Sequence, residues 1–178
     1  MRRSTFTIAM FASFMVSGPL VAEETSSSMQ YVRMNTTQGD MVLMLDPVAA
    51  PISVANFVEY AKAGTYNGTI FHRVIPGFMI QGGGFEPGMI KRETRPPIEN
   101  EWQNGLKNQR GTLAMARLGR QPNSATNQFF INVKDNPNLN GGGNRAGYAV
   151  FGRVIHGMAF HNQLKGWSLN HTRLAILP

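Results

Sequence analysis

Short apolar runs of four to eight residues, separated by turn residues, dominate the chain after about its first thirty positions. The runs are rich in β-branched and aromatic residues, whereas Gly, Pro, Asn and Asp stand between them, which is typical of strands and turns. The pattern predicts strands over residues 31–37, 41–45, 70–75, 78–81, 111–117, 128–133, 148–155 and 174–177. Residues 41–45 are apolar almost without interruption, so we predict that this strand is buried on both faces.

One segment has helical periodicity instead. Apolar residues recur at intervals of three and four within residues 54–61, on one helical face, and Pro51 and Gly64 suit the two ends of such a helix. A second, short helix is predicted over residues 157–164. Because most strands follow one another through turns and loops rather than helical crossovers, the pattern favours a mainly β fold, either an antiparallel barrel or a sandwich.

The most distinctive local pattern is a hairpin centred on Pro76 and Gly77. Proline presets φ and glycine accepts positive φ, so this pair predicts a turn between two strands. Since alternate residues of a strand share a face, Arg73, Phe78 and Gln81 can line an apolar pocket with two polar side chains. That composition is typical of a site for a small ligand or a peptide. The pattern alone leaves two alternatives for Arg73: a structural residue that snorkels to the surface or forms a salt bridge, or a donor that polarises a bound amide.

The start of the chain differs from the rest. It combines a basic pair, Arg2 and Arg3, with a short and mostly apolar segment, and Ala22 precedes two glutamates. This arrangement is typical of a secretory signal peptide, and the apolar segment is shorter than the roughly 20 residues of a membrane-spanning helix. We therefore predict a periplasmic or secreted protein with no membrane anchor after cleavage. Its predicted parts are a signal peptide (1–22), a flexible leader (23–30) and one domain (31–178).

The composition argues against several other chemistries. The 178 residues include 17 Lys and Arg against 10 Asp and Glu, a net charge of +7, but the basic residues form no helix or aromatic-interleaved stripe, so we expect no nucleic acid partner. The chain has no Cys and its four His lie at no metal-ligand spacing, so we expect no metal site. No helix follows the glycines at residues 82–84, which predict a flexible turn rather than a phosphate site.

Four segments then stand out together: FHRVIPGFMIQGG at residues 71–83, GTLAMA at 111–116, NQFFI at 127–131 and VFGRV at 150–154. In sequence, order and spacing they resemble the cyclophilins, which are peptidyl-prolyl cis-trans isomerases, and most of all the short exported bacterial members. The resemblance covers about residues 31–158. It implies a closed eight-stranded antiparallel β-barrel capped by two helices, and rotation of X-Pro peptide bonds without cofactor or metal. The implied partners are proline-containing peptides and unfolded exported proteins.

The resemblance also implies a role for individual residues. Arg73 corresponds to the catalytic arginine of the family. The residues that correspond to the proline pocket are Phe78, Met79, Phe130 and Leu139. Those that correspond to the rest of the substrate groove are Gln81, the backbone at Ala116 and Arg117, Gln128, and Tyr148 at the rim.

Two features depart from the family pattern. Asn138 stands where the family usually has Trp or Phe at the rim of the cyclosporin site, so we expect weak cyclosporin binding. Residues 159–178 are shorter than the helix, loop and strand that usually end the family's sequences. These departures leave a second function open, a chaperone that binds proline-containing chains on a cyclophilin scaffold with little turnover.

Overall fold

The computed structural model describes residues 28–158 and 173–176. Eight strands within these residues form one antiparallel sheet. The elements are β1 (Gln30–Thr36), β2 (Gly39–Leu45), α1 (Pro51–Lys62), β3 (Arg73–Ile75), β4 (Met79–Gly82), β5 (Phe85–Glu86), β6 (Ile90–Lys91), β7 (Thr112–Met115), β8 (Phe129–Asn132), β9 (Val150–His156) and β10 (Arg173–Ile176). The order across the sheet is β10-β1-β2-β9-β7-β8-β4-β3, and β5 and β6 form a separate ribbon. In this part of the chain, no helix has the length and apolar character needed to cross a membrane.

The sheet curls around one apolar core. Val32 of β1, close to one edge of the sheet, and Ile80 of β4, close to the other edge, belong to the same buried cluster. Phe57 of α1 lies within this cluster, and its ring centroid is 5.3 Å from those of Phe129 in β8 and Phe151 in β9. Because large buried rings dominate the energetics of a core, these contacts hold α1 against the concave face of the sheet.

This architecture confirms the prediction of a mainly β fold with eight antiparallel strands and a helix from Pro51. The predicted closure is not seen: within the described residues β3 and β10 each pair with a single strand, so the sheet is curled but has two edges. The helix predicted over residues 157–164 lies almost entirely outside the described residues, as do the predicted signal peptide and most of the leader.

The helix α1 follows its sequence pattern closely. Val54, Phe57, Val58 and Ala61 are all buried, as one helical face should be. Gly64 has a φ of 69°, which is the left-handed conformation expected just beyond the end of a helix.

The prediction for β2 was wrong about burial. Met41, Leu43 and Leu45 are buried, but the intervening Val42 and Met44 are only half-buried. In a strand, successive side chains point to opposite faces, and only the inner face of β2 packs on the core. The apolar residues of its outer face are partly covered rather than enclosed.

The prediction of a flexible turn at residues 82–84 was also wrong, because all three glycines are buried. A Cβ atom at Gly83 would lie 2.7 Å from the backbone oxygen of Asn127. One at Gly84 would lie 2.5 Å from Cγ of Gln128. Neighbouring groups occupy the space where side chains would be, so these positions serve close packing, a use of glycine that sequence alone does not distinguish from flexibility.

Candidate active site

Four neighbouring strands align a row of side chains on the outer face of the sheet. Arg73 of β3 lies opposite Gln81 of β4, and Gln81 lies opposite Phe130 of β8, which in turn lies opposite Ala114 of β7. Directly opposed residues of antiparallel strands project to the same face. Phe130 and Ala114 belong, with Met79, to a small apolar cluster separate from the main core. The sheet thus places a cation, an amide and an apolar surface side by side.

A pocket of about 150 Å³ opens over this row. It is lined by Arg73, Phe78, Met79, Gln81, Ala116, Arg117, Phe130, Leu139 and Tyr148. These are nine of the ten residues that the family resemblance implied, and the tenth, Gln128, is hydrogen bonded to Gln81 but is not part of the lining. Gln128 Oε1 accepts a 2.9 Å hydrogen bond from Gln81 Nε2, and the Gln128 backbone carbonyl accepts one of 3.0 Å from the Ala116 N–H. The Ala116 N–H is therefore already used within the protein.

Aromatic and aliphatic side chains make one end of the pocket apolar. Met79 and Phe130 are only 2% and 4% exposed. The rings of Phe130 and Tyr148 meet at 80° with centroids 5.6 Å apart, an edge-to-face contact that fixes both rings. Leu139, which ends the short 3₁₀ helix Pro137–Leu139, adds a further wall. Such a surface suits a small apolar ring.

Arg73 supplies an available positive charge at the pocket. Its guanidinium is exposed and forms no hydrogen bond or ion pair with any residue of the described ranges. The neighbouring His72 does not line the pocket; its ring packs edge-on against Phe85, with centroids 4.6 Å apart, and burial lowers the pKa of its imidazole. Arg73 therefore has its planar set of N–H donors free for a bound molecule.

The guanidinium of Arg117, by contrast, is hydrogen bonded to the loop that precedes Tyr148. Its guanidinium donates hydrogen bonds to the backbone carbonyls of Ala146 (2.5 Å) and Gly147 (3.1 Å). The same group lies 4.4 Å from the centroid of the Tyr148 ring, within the range of a cation–π interaction. Arg117 thus fixes the Tyr148 rim of the pocket.

The sequence did not indicate the buried polar residues next to the pocket. Asn108, Asn132 and Asn136 are at most 2% exposed and are hydrogen bonded to one another. The available signal was the four-residue spacing of Asn132, Asn136 and Asn140. That spacing was not informative by itself, because Asn is also common in surface loops.

Comparison with known proteins supports the family resemblance seen in the sequence. The family model described as cyclophilin type peptidyl-prolyl cis-trans isomerase/CLD matches residues 31–174. The chain belongs to the cyclophilin family. This cyclophilin is 54% identical over 140 residues to peptidyl-prolyl cis-trans isomerase A of Dickeya dadantii, across 79% of this chain and 72% of the relative. It is 55% identical over 138 residues to isomerase B of Escherichia coli, across 76% and 84% of the two chains.

Solved structures agree with the sequence relatives. A crystal structure of a Cryptosporidium parvum cyclophilin type isomerase superposes with a TM-score of 0.70 at 29% identity, covering 85% of this cyclophilin and 99% of the other chain. A second crystal structure of that protein, in the presence of the dipeptide Ala-Pro, gives a TM-score of 0.69 at 28% identity. The activity of this cyclophilin is peptidyl-prolyl cis-trans isomerisation.

Proposed function

We propose that Arg73 accelerates X-Pro rotation in peptides whose proline ring occupies the apolar end of the pocket. The observation that supports this assignment is an exposed arginine, without a partner in the described chain, beside the buried surfaces of Met79 and Phe130. A proline ring on that surface brings its own amide nitrogen towards the guanidinium. The Cryptosporidium relative studied with Ala-Pro supports proline-containing peptides as ligands.

The chemistry of the amide explains why an arginine suits this task. An X-Pro peptide bond is planar because the nitrogen lone pair is delocalised, and its uncatalysed exchange takes tens to hundreds of seconds. In the twisted transition state the lone pair is localised on the nitrogen and can accept a hydrogen bond. A donor aimed at that atom stabilises the transition state more than the planar ground state, which is the requirement for catalysis. Arginine keeps its proton at any physiological pH.

The energy required is within reach of such a site. An acceleration of about 10⁵ corresponds to roughly 7 kcal/mol. One preorganised donor, shielded from water once the peptide is bound, contributes about 3–4 kcal/mol, and anchoring of the ring together with desolvation supplies the remainder. In this scheme Phe78 and Leu139 flank the proline ring. Gln81 binds the peptide chain beside the backbone of Ala116 and Arg117. Gln128 orients the Gln81 side chain.

Replacement of Arg73 tests the assignment. In Arg73→Ala we expect kcat/KM to fall by about 100- to 1,000-fold, mostly through kcat, because the lost interaction belongs to the transition state. Arg73→Lys should retain part of the rate. Arg153→Ala is the matched control, since Arg153 is an exposed strand residue outside this pocket. An unchanged rate in Arg73→Ala would contradict the mechanism, and client protection without measurable turnover in the unmodified protein would favour the chaperone alternative.

We also propose that the protein is exported and assists the folding of other exported proteins in the periplasm or outside the cell. The support is the basic, then apolar, then small-residue pattern of residues 1–22. Expression of the full chain in a Gram-negative host, followed by fractionation and mass spectrometry, tests it. The expected product is periplasmic or secreted and begins after Ala22. An uncleaved cytoplasmic product would contradict the proposal.

For the fold, we propose that the curled sheet closes into the eight-stranded barrel capped by two helices. The support is that residues near both edges of the sheet share one core cluster. Amide hydrogen exchange in β3 and β10 tests closure, because an edge strand leaves alternate amides open to water. Protection of all the amides in both strands is the expected result, and protection of alternate amides alone would indicate an open sheet.

A further inference from the structure

A fully buried polar residue lies beside the apolar wall of the pocket, on the same face of the sheet. Asn132 lies directly opposite Met79 in the sheet and has no exposed surface. Its side-chain amide donates hydrogen bonds to Asn108 Oδ1 (3.1 Å) and Thr112 Oγ1 (2.9 Å), and its Oδ1 accepts one from Asn136 Nδ2 (2.7 Å). Because both N–H groups and the oxygen are bonded, the side chain can remain buried without the penalty of unsatisfied polar atoms.

Asn136 connects Asn132 to one side of the pocket. Its Nδ2 also donates a 2.9 Å hydrogen bond to the backbone carbonyl of Phe78, which accepts a second one of 3.1 Å from the Val133 N–H. The Asn136 carbonyl accepts a 2.9 Å hydrogen bond from the N–H of Leu139. The Asn136 side chain therefore fixes the backbone of Phe78, and the Asn136 main chain fixes that of Leu139.

Asn108 connects Asn132 to the opposite rim. Its side-chain amide donates to the backbone carbonyl of Tyr148 (3.3 Å) and to Asn140 Oδ1 (3.1 Å). Its backbone N–H donates to the same Asn140 oxygen at 2.7 Å. The N–H of Tyr148 in turn donates a 2.9 Å hydrogen bond to the Leu139 carbonyl, which joins the two sides of the pocket.

We propose that these asparagines are positioning residues for the proline pocket, an inference that rests on the proposed function. The asparagine cluster consists of Asn108, Asn132, Asn136 and Asn140. The walls provided by β4 and β8 are held by hydrogen bonds between strands, but Phe78, Leu139 and Tyr148 lie outside the strands. The side chains of the cluster give Phe78 and Tyr148 backbone hydrogen bonds comparable to those that the sheet gives to the other walls, and Leu139 is held through the main chains of Asn136 and Tyr148. In a buried, water-poor environment such a network is rigid while every member is satisfied.

The cluster should act on substrate affinity rather than on the chemical step. The walls contact the proline ring in the ground state and in the transition state alike, and uniform binding of this kind changes KM and leaves kcat unaltered. No hydrogen bond joins Arg73 to the cluster within the described chain. Loss of the cluster is therefore distinguishable from loss of the catalytic arginine.

The test is Asn132→Ala, assayed on an X-Pro peptide by NMR exchange, well below the melting temperature. We expect KM to rise about tenfold and kcat to stay within about twofold. Val54→Ala, in the core face of α1 and outside the pocket, is the control for lost stability and should leave KM unchanged. Asn136→Ala should raise KM similarly, and the double variant should show less than the product of the two effects, because both act through one network.

The contrary outcomes are also specific. If Asn132→Ala lowers the melting temperature as Val54→Ala does but leaves KM unchanged, the cluster only stabilises the fold and the inference is wrong. If Asn132→Ala does not fold, Asn140→Ala gives the same test with a smaller expected rise, because Asn140 is only half-buried, and an unchanged KM there overturns the inference. Arg73→Ala, assayed in parallel, separates the two proposals. If kcat is normal in Arg73→Ala while KM is raised in Asn132→Ala, the catalytic role of Arg73 is rejected and the positioning role of the asparagines is retained.

Discussion

The side-chain amide of Gln81 is held by Gln128 through a 2.9 Å hydrogen bond, and Gln128 fits there because residue 84 is a glycine. A Cβ atom at Gly84 would lie 2.5–2.7 Å from three atoms of the Gln128 side chain. Gly84 is not in the left-handed region, so the effect of a side chain there is steric rather than conformational. Because Gln81 lies directly opposite Arg73, the contact at Gly84 is linked to the pocket through the side chains of Gln128 and Gln81.

Gly84→Ala should therefore lower activity although Gly84 is not part of the pocket lining. The methyl group displaces Gln128 and leaves the Gln81 amide without its partner. Loss of one orienting hydrogen bond predicts about a three- to tenfold drop in kcat/KM on an X-Pro peptide. Gly119→Ala is the matched control, since Gly119 is exposed, has open space at its Cβ position and is not at positive φ.

A double variant checks that the effect passes through Gln128. In Gly84→Ala combined with Gln128→Ala the steric conflict is gone, so activity should equal that of Gln128→Ala alone. If Gly84→Ala reduces activity by the same factor with or without Gln128, the effect has another cause, and the proposed effect of residue 84 on Gln81 through Gln128 is wrong.

Part of the pocket was predictable from the sequence, where local rules of turns and strands apply. The hairpin was predictable because Pro76 and Gly77 define a turn, and strand alternation then places Arg73 and Gln81 on one face. The direct opposition of Gln81 and Phe130 across β4 and β8 could not be predicted, because register between distant strands depends on the whole fold. Only the family resemblance joined these segments into one site.

Other features were not predictable, because glycine and asparagine each serve several structural purposes. The glycines at residues 82–84 are compatible with a loose turn, yet neighbouring groups enclose them. Asn132 is a strand residue with a polar side chain, which favours exposure, yet it is buried. Its hydrogen bonds to Asn108 and Asn136 explain how the side chain tolerates burial. Tertiary contacts of this kind override local propensity, so no pattern along the chain reveals them.

His72 should make stability sensitive to acid. Burial lowers the pKa of its imidazole in the folded protein, whereas the unfolded value is about 6.5. The unfolded state therefore binds the proton more readily than the folded state. The contribution of His72 to the free energy of unfolding is complete above about pH 6.5 and is lost as the pH falls from that value towards the folded pKa. Thermal melts at several values between about pH 7.5 and 5 should show a smaller loss for His72→Gln than for the unmodified protein. His156→Gln, at an exposed position, should follow the unmodified protein; equal slopes for all three would contradict the prediction.

Asn138 should limit cyclosporin binding. It is exposed in the 3₁₀ helix Pro137–Leu139, beside the pocket residue Leu139, so it offers no apolar surface at the rim. Asn138→Trp adds a large ring there, and buried aromatic anchors dominate such interfaces, so we expect affinity to rise roughly tenfold or more. Calorimetric titration measures it, with kcat/KM on a short peptide expected to change by less than about threefold. Tight binding by the unmodified protein would contradict the prediction.

Helix α1 lacks a local cap and receives one from a distant loop. Its N-cap residue, Ala50, has no side-chain acceptor. Glu101 takes that place: its Oε1 accepts a hydrogen bond from the Ile52 N–H (2.9 Å), and its Oε2 accepts from the N–H (2.8 Å) and Oγ (2.6 Å) of Ser53. A carboxylate at this end also complements the helix dipole.

Glu101→Ala should consequently destabilise the protein without affecting catalysis. Loss of an N-terminal cap costs about 1–2 kcal/mol, which for a domain of this size lowers the melting temperature by roughly 2–8 °C. Because no residue of α1 lines the pocket, kcat/KM measured well below the transition should stay unchanged. Glu99→Ala, at an exposed position in the same loop, is the control and should shift the free energy of unfolding by less than about 0.5 kcal/mol. Equal melting temperatures for the two variants would show that the contact with Glu101 does not stabilise the helix.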